Sequence, residues 1–421
     1  MIGSSWLSAV QILLVAFRCI HVFSTEDFFP IIDISLCDDD NADHVKSACF
    51  NAIDTALVDF GTFVAVGHGI EPSYFGKAFK NSKMLFSLHN EEKLNVSMSS
   101  FNESFGRGYI PFGLEAGVST YFEVKEGYSY GFPREGNSNL LSKSNSMESL
   151  NIWPPRLPLG VTTELESIFM VKLRVAKIVL AALIRSQSLD SAQNNLIAAL
   201  AAEEGKSNTL KDIVSGAGDT ISLMRLFHYF SAESQDNLTA KMGCTSQDGR
   251  DQSGEGFITD SKGDKVSIGS SPHTDWGLLT VIMQDNTGGL QFRHNNEWKD
   301  VPAVANALVV NAGDYLHILS EGRYHSPVHR VLCPPEGKER TSFVFFYYPG
   351  FDTTLTFKMS NKVKPTSDEI QQEGSYNTLT EMRTDIFGDG STSDVIYSKG
   401  HITFGDYILQ KWHGVAVDAK S

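Results

Sequence analysis

The sequence predicts a mainly β protein with flanking helices, organised around a double-stranded β-helix, or jelly-roll, barrel. Three observations lead there. Between Gly256 and Pro349, short apolar or alternating runs follow one another, separated by Gly, Asp and Asn turns, the pattern of strands in two packed sheets. Ala42–Asp59, Pro72–Leu88 and Thr162–Ala202 read instead as helices, placed to buttress a barrel. The chain has 421 residues, 41% hydrophobic and 11% aromatic, which is globular composition with ample material for a large core.

Taken in order, residues 5–17 form an apolar run too short to span a bilayer but suited to a signal-peptide h-region, with cleavage near Phe23-Ser24. No Lys or Arg precedes it, and Arg18 and His21 follow it. Entry to the secretory pathway or an organelle is expected, with a cytoplasmic location as the alternative and no stable membrane insertion. Asn95, Asn102 and Asn237 head glycosylation triplets that would be used only after such entry. Cys19 would leave with the leader. Cys37, Cys49, Cys244 and Cys333 are scattered without a C-x-x-C, so ordinary thiols are expected, with one bridge as the alternative in an oxidising compartment.

Phe28–Ser35 reads as the first strand, and Phe60–Gly69 as a strand and turn after the first helix. Glu91–Lys93 reads as the polar end of the second helix. Glu126–Pro155, rich in Gly, Ser, Asn and Pro, is expected to be loop. Ile221–Phe230 reads as a strand, and Gly256–Thr259 with Lys265–Ile268 as a hairpin at the end of a long polar connection. Leu278–Met283, Trp298–Val301 and Ala307–Asn311 complete the strands, and after Pro349 come the segment Thr353–Lys358 and a helix candidate at Ser367–Glu373. The domain reading is 1–24 leader, 25–160 N-terminal region, 161–215 supporting helices, 216–350 jelly-roll core and 351–421 C-terminal extension.

The chemistry is carried by His273-Thr-Asp275 at the mouth of the strand Leu278–Met283. A spacing of two in an extended segment puts an imidazole and a carboxylate on one face, where both can bind one ion. Such pairs also meet by chance in loops, so more is required. It comes downstream in His325-Ser-Pro-Val-His329-Arg-Val and in Arg340-Thr-Ser342, which opens a strongly apolar strand. Together these segments resemble the iron(II)/2-oxoglutarate-dependent dioxygenases, in the branch that includes isopenicillin N synthase and the plant flavonoid and gibberellin oxygenases.

The resemblance implies that His273, Asp275 and His329 bind Fe(II), and that Arg340 and Ser342 grip the distal carboxylate of 2-oxoglutarate. Two imidazoles and one carboxylate on one face of an iron leave three open positions, a pattern diagnostic of non-haem Fe(II) oxygenases. Ile221–Phe230 resembles a segment that relatives write as Arg-Ile-Asn-Tyr-Tyr-Pro, whose second Tyr falls on Tyr229 and is expected to bond the co-substrate. Here Phe227 and Phe230 replace the Asn and Pro. Gly106–Gly113, Asn311–Gly322 and Thr403–His413 also resemble family segments, so the likeness covers about residues 27–415. His68, His317 and His325 are off pattern and read as structural. Arg107 reads as a backbone tether rather than a substrate contact.

The expected reaction hydroxylates or desaturates a small organic molecule with dioxygen, releasing succinate and CO2, with ascorbate as a further reductant. Arg-x-Ser also occurs in isopenicillin N synthase and the ethylene-forming oxidase, so an Fe(II) oxidase without 2-oxoglutarate is the alternative enzyme; a non-catalytic binding barrel is the alternative outside enzymes. The formal charge of −15 argues against a nucleic-acid surface, which would need clustered Lys and Arg. Segments near Arg107–Phe112, Met224–His228, Trp276 and Phe404–Trp412 are expected to border the pocket. Their aromatic and aliphatic side chains, with few charges, suit a largely apolar specialised metabolite, hormone-like terpenoid, phenolic or free base, and a monomer is expected.

Overall fold

The structure, a computed structural model, describes residues 29–98, 106–113, 123–133, 146–186, 220–231, 257–259, 265–320, 322–356 and 401–418. In chain order its main elements begin with β1 (Ile31–Asp33), α1 (Asp43–Asp59), β2 (Thr62–Val66), α2 (Pro72–Phe86), α3 (Asn90–Leu94), β3 (Gly108–Ile110), β4 (Lys125–Gly131) and α4 (Leu159–Arg185). They continue with β5 (Leu223–Tyr229), β6 (Phe257–Thr259), β7 (Lys265–His273), β8 (Leu279–Gln284), β9 (Leu290–His294), β10 (Glu297–Asp300) and β11 (Leu308–Ala312). The last are α5 (Asp314–Leu319), β12 (His329–Leu332), β13 (Arg340–Tyr347), β14 (Thr354–Thr356), β15 (His401–Thr403) and α6 (Phe404–Asp418). The leader, the triplets at Asn102 and Asn237, Cys244 and the helix candidate Ser367–Glu373 lie outside the described residues.

Two sheets face each other. The larger runs β1-β2-β11-β8-β13-β5-β4-β3 and the smaller β10-β9-β12-β7-β6. Alternation along each strand sorts side chains between two cores. Phe227, Tyr229, Ile282, Val309 and Val344 turn inward against Leu290, Phe292 and Val331 of the smaller sheet. Met224, Leu226, Val281, Phe343 and Phe345 turn outward onto residues of α1, α2 and α4. β13 reads as a continuous apolar run because it is buried on both faces. Lys172 of α4 donates to the carbonyls of Val281 and Phe343, fastening that helix to the centre of the sheet.

Three expectations are corrected. The stretch from Glu126 is not loop at its start: β4 pairs with β5 over seven residues, from Lys125↔Tyr229 to Gly131↔Leu223, and all seven are buried. Its Gly and Ser residues signal a loop locally, yet the small inward positions Gly127, Ser129 and Gly131 let β4 fit beside the bulky side chains of β5, and packing overrides propensity. Glu91–Lys93 belongs to a separate short helix, α3, whose His89 N-cap and Glu92 form a capping box. Cys37 and Cys49 are joined in a disulfide with Cα atoms 5.4 Å apart, tying α1 to the turn after β1, while Cys333 is a free, half-buried thiol. Removing this bridge by Cys49→Ala should cost about 2–4 kcal/mol, seen as a lower denaturation midpoint that reducing agent no longer changes.

A buried polar cluster holds the outer face at β3–β5. Glu126 accepts bonds from Lys93 Nζ at 2.7 Å and the Tyr109 hydroxyl at 2.6 Å. His228 faces carboxylates on both nitrogens, Glu126 at 2.9 Å and Glu339 at 3.1 Å. Burial opposes its charge, but these two partners outweigh burial and raise its pKa above the ordinary 6.5. A raised folded pKa means the stabilisation is whole below about pH 6.5 and is lost as pH rises through the raised value. Urea unfolding should therefore show stability falling as pH rises above about 6.5, and His228→Gln should flatten that slope.

Candidate metal centre

β7 ends on His273, and β12 begins on His329 directly opposite it in the antiparallel register. Pairing across the strands brings the two rings to 4.3 Å between centroids. Asp275 lies in the connection from β7 to β8, not on β8 itself. Its Oδ1 is 3.9 Å from His273 Nε2 and 3.6 Å from His329 Nε2. One ligand atom from each residue lies within 4.8 Å of the other two, an ion-sized gap for metal–ligand distances of about 2 Å.

Backbone carbonyls fix the tautomers. His273 Nδ1 meets Ser271 O at 2.7 Å and His329 Nδ1 meets Pro327 O at 3.0 Å. A carbonyl can only accept, so both Nδ1 atoms carry the proton and both Nε2 lone pairs face the gap. Burial, followed by the neighbouring His329, pushes His273 down to about 4, so its imidazole is neutral at pH 7, as a ligand must be. Ser271 is itself held by Glu123, whose Oε1 accepts from the Ser271 amide and hydroxyl at 2.5 Å each. Glu123 pairs with Lys125 at 2.6 Å, both buried.

Asp275 is oriented from behind. Asn311 Nδ2 lies 3.4 Å from Asp275 Oδ2, and the Thr62 hydroxyl donates to Asn311 Oδ1 at 2.7 Å. That donation directs the amide N–H2 towards the carboxylate. Sequence spacing marks neither Asn311 nor Thr62 for this role, although a lone Asn ending the apolar run of β11 is a readable signal. Asn311→Ala should weaken iron binding by about 10–100-fold, measured by competition with a chelator.

The second predicted group converges on the same interior. Arg340 and Tyr229 are directly opposite on β13 and β5, with the guanidinium 4.7 Å from the Tyr229 ring. Ser342 Oγ is 3.4 Å from the Tyr229 hydroxyl. Arg340 Nε donates to Gly288 O and Nη2 to Gln284 Oε1, each at 2.8 Å. Its Nη1 is buried with no hydrogen-bond partner, which in a side chain 1% exposed calls for an anionic ligand. Gly269 of β7 makes room: a Cβ there would stand 2.8 Å from Tyr229 Cδ1. These residues fit the distal carboxylate of 2-oxoglutarate.

The remaining candidates lie elsewhere. His68 Nε2 bonds Asn306 O at 2.9 Å and shapes its turn, while His317 Nδ1 donates to Tyr324 O and stacks on His325. Arg107 Nη2 donates to Met147 O at 2.9 Å, the tether expected of it. In α6, Trp412 meets Trp276, the residue after Asp275, edge-to-face at 5.8 Å.

Residues 256–349 match the 2OG-Fe(II) oxygenase superfamily, and residues 29–156 match the family of the non-haem dioxygenase in morphine synthesis N-terminal region. The chain belongs to the iron(II)/2-oxoglutarate-dependent dioxygenases. It is 29% identical over 401 residues to a probable iron/ascorbate oxidoreductase of Dictyostelium discoideum, covering 94% of this chain and 97% of that one. A 1-aminocyclopropane-1-carboxylate oxidase of the same organism is 27% identical over 387 residues, covering 91% and 96%. Among solved structures, a full-length Neurospora crassa protein in complex with alpha-KG superposes with a TM-score of 0.61 at 21% identity, covering 94% of this chain and 99% of that one, which establishes the shared jelly-roll fold. This dioxygenase is thus an oxidoreductase dependent on Fe(II) and 2-oxoglutarate.

Proposed function

We propose that His273, Asp275 and His329 hold Fe(II), that Arg340, Ser342 and Tyr229 hold 2-oxoglutarate, and that the dioxygenase hydroxylates or desaturates a small organic molecule. The carrying observation is the buried Arg340 Nη1, without a partner, in the same barrel interior as an ion-sized His-Asp-His cluster. When bound, iron and 2-oxoglutarate supply the oxidising power: dioxygen is reduced, CO2 leaves, and succinate forms as substrate is oxidised. The protein's residues supply placement. The Nδ1–carbonyl bonds aim both imidazoles, the Thr62–Asn311 relay aims Asp275, and the Gly288 and Gln284 acceptors hold the Arg340 fork in one plane. Leu290, Phe292 and Val331 line the interior with apolar surface that excludes water.

The test is succinate formation by purified protein with Fe(II), ascorbate and 2-oxoglutarate, slow alone and stimulated by small organic compounds. The 1-aminocyclopropane-1-carboxylate oxidase relative keeps one second reading in view, an Fe(II) oxidase that does not use 2-oxoglutarate. Oxygen consumption without succinate would select it. Stimulation by peptides alone would overturn the small-molecule reading.

The enzyme is also proposed to work as a monomer in the secretory pathway. The apolar leader, the Cys37–Cys49 bridge and the exposed Asn95 in its Asn-Val-Ser triplet support that address. Among the described residues no helix is long and apolar enough to cross a membrane. Mass spectrometry of the protein from eukaryotic cells should find a mature N-terminus near residue 24 and glycan on Asn95; an intact, unglycosylated chain would place it in the cytoplasm.

A further inference from the structure

His228 and Tyr229 are consecutive on β5, so their side chains leave the larger sheet on opposite faces. Tyr229 turns inward beside Arg340 and Ser342. His228 turns outward between two carboxylates, Glu126 of β4 and Glu339, the residue before Arg340. In the register it lies opposite Glu126 on one side and Thr341 on the other. The imidazole therefore bridges β4 to the beginning of β13, at the point where β13 sends Arg340 into the barrel.

The beginning of β13 is held from both neighbouring strands. From the β8–β9 turn, Asp285 Oδ2 accepts from the Thr341 amide at 2.6 Å, and the Asp285 amide donates to Thr341 O at 3.1 Å. The Thr287 hydroxyl donates to Glu339 O at 3.3 Å. From β5, the hold on Glu339 is the His228 ring, with Nε2 at 3.1 Å from Glu339 Oε2 and Nδ1 at 2.9 Å from Glu126 Oε1. An ionised carboxylate only accepts, so an imidazole that meets one on each nitrogen makes both bonds only as the doubly protonated cation.

Loss of one proton leaves one N–H for two acceptors. Glu126 keeps it, because its side chain is 2% exposed and an unmet oxygen there is costly, whereas Glu339, 60% exposed, returns to water. The other charged and titratable groups around the ring leave that order intact. Lys93 of α3 and the Tyr109 hydroxyl of β3 bond the other oxygen of Glu126, and Lys83 of α2 acts electrostatically on Glu339. Phe86 of α2 and Phe230 pack on the ring itself. Burial disfavours the cation, but the bonds to Glu126 and Glu339 outweigh it and raise the pKa above the ordinary value, so the proton leaves above about pH 6.5.

Resting on the reading that Arg340 holds 2-oxoglutarate, we infer that His228 is a positioning residue for the co-substrate: its cation clamps Glu339 and so fixes the Arg340 that follows, and its deprotonation loosens the grip on 2-oxoglutarate.

The test is the Kd for 2-oxoglutarate, measured by calorimetry on the full chain with Mn(II) in place of iron, at about pH 6 and about pH 8.5, on either side of the raised pKa. KM and kcat from succinate release by the iron-loaded enzyme are read beside it. In wild-type protein, Kd and KM should rise together by about two- to fivefold from the acidic to the alkaline condition, the size of one largely exposed ion pair. At saturating 2-oxoglutarate, kcat should show no matching step. His228→Gln cannot become a cation, so its Kd should stay near the alkaline wild-type value at both pH values. Glu339→Gln should do the reverse: its amide accepts from the charged ring and donates to the neutral one, so its Kd should stay near the acidic wild-type value throughout. A histidine with a merely structural role would lower the unfolding midpoint without separating these two flat profiles. Glu339 is mostly exposed, so its variant reports even where His228→Gln fails to fold. The inference is overturned if the wild-type Kd is the same at both pH values, or if either folded variant keeps the wild-type step. A wild-type Kd for 2-oxoglutarate in Arg340→Leu would instead bring down the reading on which it rests.

Discussion

Replacing His329 with alanine should leave the chain folded but unable to retain Fe(II), with turnover lost by more than about 100-fold, beyond the 10–100-fold that outer-shell changes produce. The imidazole is 5% exposed, already oriented by Pro327 O, and one of the three donors in the cluster among the described residues. Alanine leaves one imidazole and one carboxylate, too few to compete with water for the ion. The measurement is iron per chain by metal analysis, beside the unfolding midpoint. Full iron occupancy and activity in His329→Ala would remove it from the ligand set.

The second large effect is expected at Arg340. Each hydrogen bond to a charged group contributes roughly 1.5–3 kcal/mol, so losing the guanidinium in Arg340→Leu should raise the KM for 2-oxoglutarate by about 10–150-fold, at 1.4 kcal/mol for each factor of ten. The KM for dioxygen and the iron content should stay unchanged, because no metal ligand is disturbed. Gly288 O and Gln284 Oε1 also lose their donor, so Arg340→Lys is the necessary companion. It keeps the charge but not the fork, and its KM should fall between the two. An unaltered KM for 2-oxoglutarate in Arg340→Leu would remove the co-substrate from this site.

Sequence alone carried the parts of this protein that depend on short-range geometry. The spacing of His273 and Asp275 suggests two side chains on one face, His329 is legible through the resemblance of its segment to the dioxygenases, and the pairing of β7 with β12 is what sets His329 opposite His273. Arg340, Ser342 and Tyr229 are readable through the same resemblance, and the hairpin of β6 with β7 and the three long helical stretches through their local apolar patterns.

Other features depend on partners far away in the chain, and no local pattern could supply them. β4 is a strand because β5 and β3 lie on either side of it, although its own Gly and Ser content signals loop. The Thr62–Asn311 relay joins residues 249 apart in sequence, and Glu123 holds Ser271 across 148. The disulfide needed Cys37 and Cys49 to be brought face to face by the turn into α1. Local alternation can say which face a side chain takes, but only packing determines what that face meets.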